Sequence, residues 1–288
     1  MKNKCILFFL LCIAIFITAC EVFDEDRILS PFSQYWKIPP EYDDSGATKS
    51  LHVAAVSFKV DISPEINRNK ITYYIEKIMA EQPSVRLILF PEATLGYYYM
   101  TSNPLEYQKS VAETIPGETT DMLSQKAIYH QIYISFGMAE KSGEKLFNSQ
   151  VMIAPDGTIS SVYRKYYLIS LDNENGFTAG NDITIDVIDN IKVATIICND
   201  MNNLTLQKKI HKSGAELVLV SIAGDSSALS ENTPILNPIF TWLLGANRVG
   251  YEQGIDYDGY IYLYSPSGEK KARSIGKEGY IHGVVKCY

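Results

Sequence analysis

From residue 51 onward, short apolar runs alternate with segments whose apolar side chains recur every three or four positions. The runs predict strands over Leu51–Phe58, Val85–Phe90, Ile132–Ala139, Leu146–Ala154, Thr158–Arg164, Ile183–Ile188, Lys192–Cys198 and Glu216–Ile222. Val85–Phe90 is apolar almost throughout, as a strand covered on both faces should be. Ser63-Pro64-Glu65 opens a helix with a serine N-cap, a proline in the first helical position and an acid in the first turn. Ile71, Ile75, Ile78 and Met79 then give that helix one apolar face. Further helices are predicted over Thr119–His130 and Leu204–Ser213. Pro155-Asp156-Gly157 and Pro266-Ser267-Gly268 are turn signals, and Gly245–Tyr251, Gly259–Tyr264 and Tyr280–Lys286 make the end of the chain all-β. With no internal linker and no repeat, residues 51–288 read as one α/β domain with mixed sheets.

The first fifty residues break that pattern. Lys2 and Lys4 precede an apolar run from Cys5 to Ile17, followed by Thr18-Ala19-Cys20. A basic end, a short greasy stretch and a small-residue exit make a secretory signal over 1–19. The run is short for a membrane span, which needs roughly 20 apolar residues. Ile17-Thr18-Ala19-Cys20 resembles the bacterial lipobox, which implies that Cys20 is lipidated and becomes the first residue of an extracytoplasmic, envelope-anchored protein. Residues 20–50 would then form an acidic tether, with Asp24-Glu25-Asp26, Asp43-Asp44 and Pro39-Pro40.

Composition narrows the partners. The chain has 288 residues and is 46% hydrophobic, enough to bury a large core. Its 26 basic and 33 acidic side chains give a net charge of −7. Such an acidic surface argues against nucleic acid, whose phosphates call for Lys and Arg. After cleavage at Cys20 only Cys198 and Cys287 would remain as thiols, which is no disulfide framework, although the two could pair with each other.

The chemistry is not one of the common kinds. No dinucleotide or phosphate loop, serine-nucleophile elbow or zinc-binding motif is present, and the four histidines lie far apart in sequence. The reading therefore calls for neither cofactor nor metal. Instead, three reactive side chains each stand where a predicted core strand ends: Glu92 after Leu87–Pro91, Lys165 after Val162–Arg164, and Cys198 after Val193–Ile197. Ligand sites in α/β sheets gather just beyond the carboxyl ends of strands. A thiol is a good nucleophile once deprotonated, a carboxylate can take and return its proton, and an ammonium can stabilise an oxyanion with help from the Asn199 N–H. Singly, each has a plain structural reading: Cys198 as a small core hydrophobe, Glu92 as a helix cap, Lys165 as a solvated strand end.

In order along the body stand VAAVSFKVD, LILFPEATLGYY, ETIPGETTDMLSQKA, FGMAEKSGEKLFNSQVMIAPDG, VYRKYYL, FTAGND, VATIICND and ANRVG. Together these resemble the nitrilase-like carbon–nitrogen hydrolase superfamily over about His52 to Val285. The resemblance implies an αββα sandwich that usually dimerises, with Glu92 as base, Lys165 as transition-state stabiliser and Cys198 as nucleophile. It also implies that Glu140 is a second glutamate orienting the lysine and substrate. Tyr97 and Tyr98 flank Glu92 and either line a substrate pocket or simply pack.

The chain departs from the family at Ser57, where many members have glutamine, and after Asp200, where Met201-Asn202-Asn203 replaces the usual arginine and proline-glutamate pair. Pro234 and Pro238 interrupt the helix expected before ANRVG, an element that often supports the dimer interface. The leading expectation is hydrolysis of an amide or carbamoyl C–N bond in a small molecule through a cysteine thioester. The alternatives are an N-acyltransferase, in which an amine replaces water, and an anchored binding protein without turnover.

Overall fold

The alternation of buried side chains along strand β1, Lys49–Ser57, sets the layering of the molecule. Val53 and Ala55 face one core while Ala54 and Val56 face another, and none of the four is exposed. Such a strand is stable only between two covers. The computed structural model describes residues 42–225 and 241–288. The predicted signal, Cys20, most of the tether, Pro234 and Pro238 lie outside the described residues.

Two six-stranded mixed sheets pack face to face. The first has the order β14 (Gly279–Cys287), β1, β2 (Leu87–Leu89), β3 (Tyr133–Ser142), β4 (Lys145–Ile153) and β5 (Ile159–Arg164). The second runs β13 (Lys270–Ser274), β12 (Ile261–Tyr264), β9 (Trp242–Asn247), β8 (Leu217–Ile222), β7 (Ile191–Ile197) and β6 (Ile185–Ile188). Strands β1–β2–β3 and β7–β8–β9 pair in parallel, and the outer strands pair antiparallel.

Between the sheets lie Leu51, Val53, Leu87, Leu89, Val193, Leu217, Leu219 and Leu244. On the far side of the first sheet, Ile88, Phe90, Ile134 and Phe136 meet Ile71, Ile75 and Ile78 of helix α1 (Pro64–Glu81) and Leu123 of α3 (Glu118–His130). On the far side of the second, Val218 and Val220 meet Leu206 and Ile210 of α5 (Leu204–Ser213). Each fully buried aliphatic side chain stabilises the fold by roughly 1.5–3 kcal/mol relative to exposure, so these stripes decide the architecture. The result is the αββα sandwich expected.

Local departures have local causes. Ser63 precedes α1, but its side chain makes no cap; its N–H instead donates to Asp61 Oδ1, 3.0 Å away. The predicted strand Gly245–Tyr251 is broken into β9 and β10 (Val249–Glu252), because Arg248 turns inward between them and Gly250 takes φ +95°. Strand β10 pairs with β11 (Ile255–Asp258), which no strong period announces. The short helices α2 (Pro104–Val111) and α4 (Ser170–Glu174) were likewise unmarked. The thiols of Cys198 and Cys287 are both free.

Candidate active site

Glu92 is fixed by the turn that follows β2. Phe90 N–H reaches Ser135 O (2.8 Å), Gly137 N–H reaches Pro91 O (3.2 Å) and Thr94 N–H reaches Gly137 O (2.8 Å). Position 137 has to be glycine here, since a Cβ would fall 2.6 Å from both Ala93 N and Pro91 O. Ala93 itself takes φ +51°, a conformation L-residues rarely adopt. The fully buried Glu92 carboxylate accepts from Lys165 Nζ (2.9 Å) and Asn148 Nδ2 (2.7 Å) through Oε1, and from the Ala223 N–H (2.8 Å) through Oε2.

Lys165 leaves the end of β5 with its backbone held on both sides. Its N–H donates to Asn148 O, its carbonyl accepts from Gly180 N–H, and both distances are 2.8 Å. The buried ammonium has three protons and three acceptors: Glu92 Oε1, Asp172 Oδ2 at 2.8 Å and Tyr98 Oη at 3.2 Å. Burial alone would pull its pKa down. The charges of Glu92 and Asp172 outweigh that and raise it, so the lysine is a permanent cation. Tyr98 relays between the partners, donating to Asp172 Oδ1 at 2.7 Å, and the Asn148 amide bridges Glu92 to the same oxygen at 3.2 Å.

Cys198 stands where β7 gives way to a 3₁₀ turn, Cys198–Asn202. Its φ of +47° is strained for a residue with a side chain and costs about 1–3 kcal/mol. The rigid turn holds the half-buried cysteine at the sheet edge. Burial first, then the Glu92 charge, push the thiol pKa up to about 12, while Lys165 and the Ala223 N–H pull the other way. One ammonium already faces two carboxylates, so a resting thiolate would be a third anion. The thiol therefore rests neutral beside a carboxylate able to take its proton.

Asp200 explains the polar residue after the nucleophile. Buried, it accepts from Tyr163 Oη (2.7 Å), Tyr167 N–H (2.7 Å) and Ile197 N–H (3.2 Å), tying the cysteine turn to the lysine loop. Asn199 follows the sulfur in the first turn of the 3₁₀ segment, where backbone N–H groups lack partners within the segment.

Glu92 and Lys165 are thus brought into direct contact, and both lie near enough to Cys198 for their charges to act on its thiol. Tyr98 belongs to the lysine's own network rather than to an outer pocket wall, whereas Tyr97 is partly exposed and its N–H donates to Tyr107 Oη at 2.8 Å. Glu140 does not touch Lys165. Its Oε2 accepts from Ser149 Oγ (2.6 Å) and Arg164 Nε (2.8 Å), and the carboxylate that orients the ammonium is Asp172. Sequence reasoning missed Asp172, Asn148 and the Ala223 N–H. It also missed the buried Arg248–Glu252 pair: Arg248 holds Gly96 O (3.0 Å) and Glu252 accepts from Tyr98 N–H (3.2 Å). Asn148 lay inside the FNSQ stretch, but its partner at 92 is 56 residues away. Among the described residues no group of three or more His, Cys, Asp or Glu is arranged to hold a metal ion.

The model of one protein family, carbon–nitrogen hydrolase, matches residues 52–281. The chain is 30% identical over 217 residues to a nitrilase from Pyrococcus abyssi, covering 72% of this chain and 78% of that one. It is 27% identical over 231 residues to an omega-amidase from Xenopus tropicalis, covering 77% and 76%. Among solved structures, Nit3 of Saccharomyces cerevisiae, a member of the nitrilase superfamily, superposes with a TM-score of 0.73 at 20% identity over 83% of this chain and 91% of Nit3. An amidase from Nesterenkonia sp. does so with a TM-score of 0.71 at 19% identity, over 83% and 90%. The chain belongs to the carbon–nitrogen hydrolase family.

Proposed function

We propose that this carbon–nitrogen hydrolase cleaves an amide or carbamoyl C–N bond in a small molecule through a thioester on Cys198. The observation that supports it most is the arrangement at Glu92: one buried carboxylate is bonded to Lys165 and lies near enough to Cys198 for its charge to hold the thiol neutral.

As sulfur attacks the carbonyl carbon, the thiol proton passes to Glu92. Oxyanion charge builds up beside the Lys165 ammonium and the Asn199 N–H. The three ammonium protons are engaged at rest, so Lys165 acts first through its charge. Protonation of Glu92 weakens one of those bonds and frees an N–H for the oxyanion as it forms. The C–N bond then breaks as Glu92 returns the proton to the departing nitrogen. Water next gives a proton to Glu92 and attacks the thioester carbonyl. The S–C bond breaks, the proton goes back to sulfur, and the acid is released. Asp172, Tyr98 and Asn148 keep the lysine and the base in register throughout.

The chain's other features extend the proposal. The lipobox-like Ile17–Cys20 supports lipidation at Cys20 and an extracytoplasmic, membrane-tethered enzyme, with 20–50 as the tether and 51–288 as the catalytic domain. Self-association into a homodimer is proposed from the family's habit alone.

The test is a panel of simple amides, carbamoyl compounds and amine acceptors, with ammonia and acyl products followed. Ammonia release without acceptor is the expected result. Product formed only with an acceptor makes the protein a transferase, and no product from any member leaves a binding protein.

A further inference from the structure

Tyr257, on β11, is 2% exposed, and its hydroxyl has no hydrogen-bond partner among the described residues. A buried hydroxyl left unpaired is costly, so the position calls for an occupant. The ring shares one buried cluster with Ala93, next to Glu92, and with Tyr98 and Ala223. Its backbone bridges Asp225, two residues beyond the Ala223 N–H that donates to Glu92. Burial first, then the charges of Glu252 and Glu92, raise the hydroxyl's pKa against the pull of the Arg248 guanidinium, so it stays a neutral donor. The Arg248 guanidinium, 5.2 Å from the ring centroid, is already paired with Glu252.

We propose that Tyr257 is a substrate-contact residue whose hydroxyl donates to the carbonyl oxygen of an uncharged carboxamide seated against Cys198. An uncharged acyl group follows from the charges on hand. Lys165 faces two carboxylates and Arg248 is matched by Glu252, so among the described residues no buried cation is left over for an anionic substrate. The identity of the acceptor rests on the amidase reading; the unpaired donor does not.

Three alkylating reagents test this on the full-length protein, wild type and Tyr257→Phe. Iodoacetamide offers a carboxamide oxygen, iodoethane offers none, and iodoacetate offers a negative charge. In each reaction sulfur forms a bond to carbon as iodide leaves, and the thiol proton goes to Glu92 or solvent. Rates at Cys198 are read by peptide mass spectrometry and normalised to the same reagents with glutathione. The iodoacetamide preference over iodoethane should fall about five- to tenfold in Tyr257→Phe, the worth of one hydrogen bond. The iodoethane rate should stay unchanged, and wild type should disfavour iodoacetate. An unchanged preference in Tyr257→Phe, as a water-satisfied hydroxyl would give, overturns the contact; preference for iodoacetate overturns the uncharged substrate. If no amide is hydrolysed yet the preference falls, the amidase reading fails and the contact stands. If amides are hydrolysed and the preference does not move, only the contact fails.

Discussion

Asp172 Oδ2 lies 2.8 Å from Lys165 Nζ, with neither side chain exposed to solvent. This pair, more than the expected Glu140, sets the direction of the ammonium, because Asp172 also receives Tyr98 Oη and the Asn148 amide. Asp172→Ala should therefore destabilise the protein by about 3–5 kcal/mol, as breaking a buried ion pair does. Asp172→Asn, which keeps the shape but cannot answer the ammonium equally, should cost less stability and still lower kcat. Urea unfolding and steady-state kinetics measure both. Wild-type stability in Asp172→Ala would remove Asp172 from the lysine's support.

Glu92→Gln should move two observables in opposite directions. A carboxylate beside the sulfur disfavours a second anion, and it is part of what pushes the Cys198 thiol up to about 12. Removing that charge lowers the thiol pKa, so the pH dependence of Cys198 alkylation should shift toward lower pH. Turnover should fall about 10²–10⁴-fold, since the proton acceptor is gone. Alkylation that shifts to higher pH would contradict the charge arrangement.

Gly137→Ala should injure the base without touching it. The new Cβ would meet backbone atoms of Pro91 and Ala93 at 2.6 Å, and backbone cannot swing aside as a side chain can. Thermal unfolding should show a loss of about 1–3 kcal/mol, in line with overpacked sites, and activity should drop with it. A neutral substitution would mean that the Glu92 turn is not set by this contact.

Most sheet strands, three helices and three candidate residues at strand ends were legible because each rests on a local pattern, whereas β11 and β13 carried none. A predicted strand that stops at a reactive side chain marks Glu92, Lys165 and Cys198 wherever they lie in space. Asp172 had no such mark. It sits in a five-residue helix, and its role depends on Tyr98, 74 residues earlier in the chain. Arg248 lay within the predicted strand Gly245–Tyr251 and Glu252 just after it, with nothing local to mark them as buried, yet Arg248 braces the Glu92 turn from 152 residues away. Glu140 shows the reverse error. A carboxylate at the right place in a motif was credited with the lysine, while Arg164, immediately before that lysine, takes it instead.

Cys20→Ala should release the protein from the membrane or block its processing, because the lipobox-like Ile17–Cys20 is the feature that proposes an anchor. Detergent-phase partitioning and the mass of the mature chain report this. Unchanged partitioning with an uncleaved leader would replace the lipid with a plain anchor helix.

The most direct measurement is intact mass spectrometry of the protein mixed with a hydrolysed amide, paired with the turnover of Cys198→Ala. A transient adduct equal in mass to the acyl group, mapping to Cys198 and persisting in Glu92→Gln, is the predicted result, with no turnover in Cys198→Ala. Wild-type turnover in Cys198→Ala, or an acyl adduct on any other residue, would contradict the thioester.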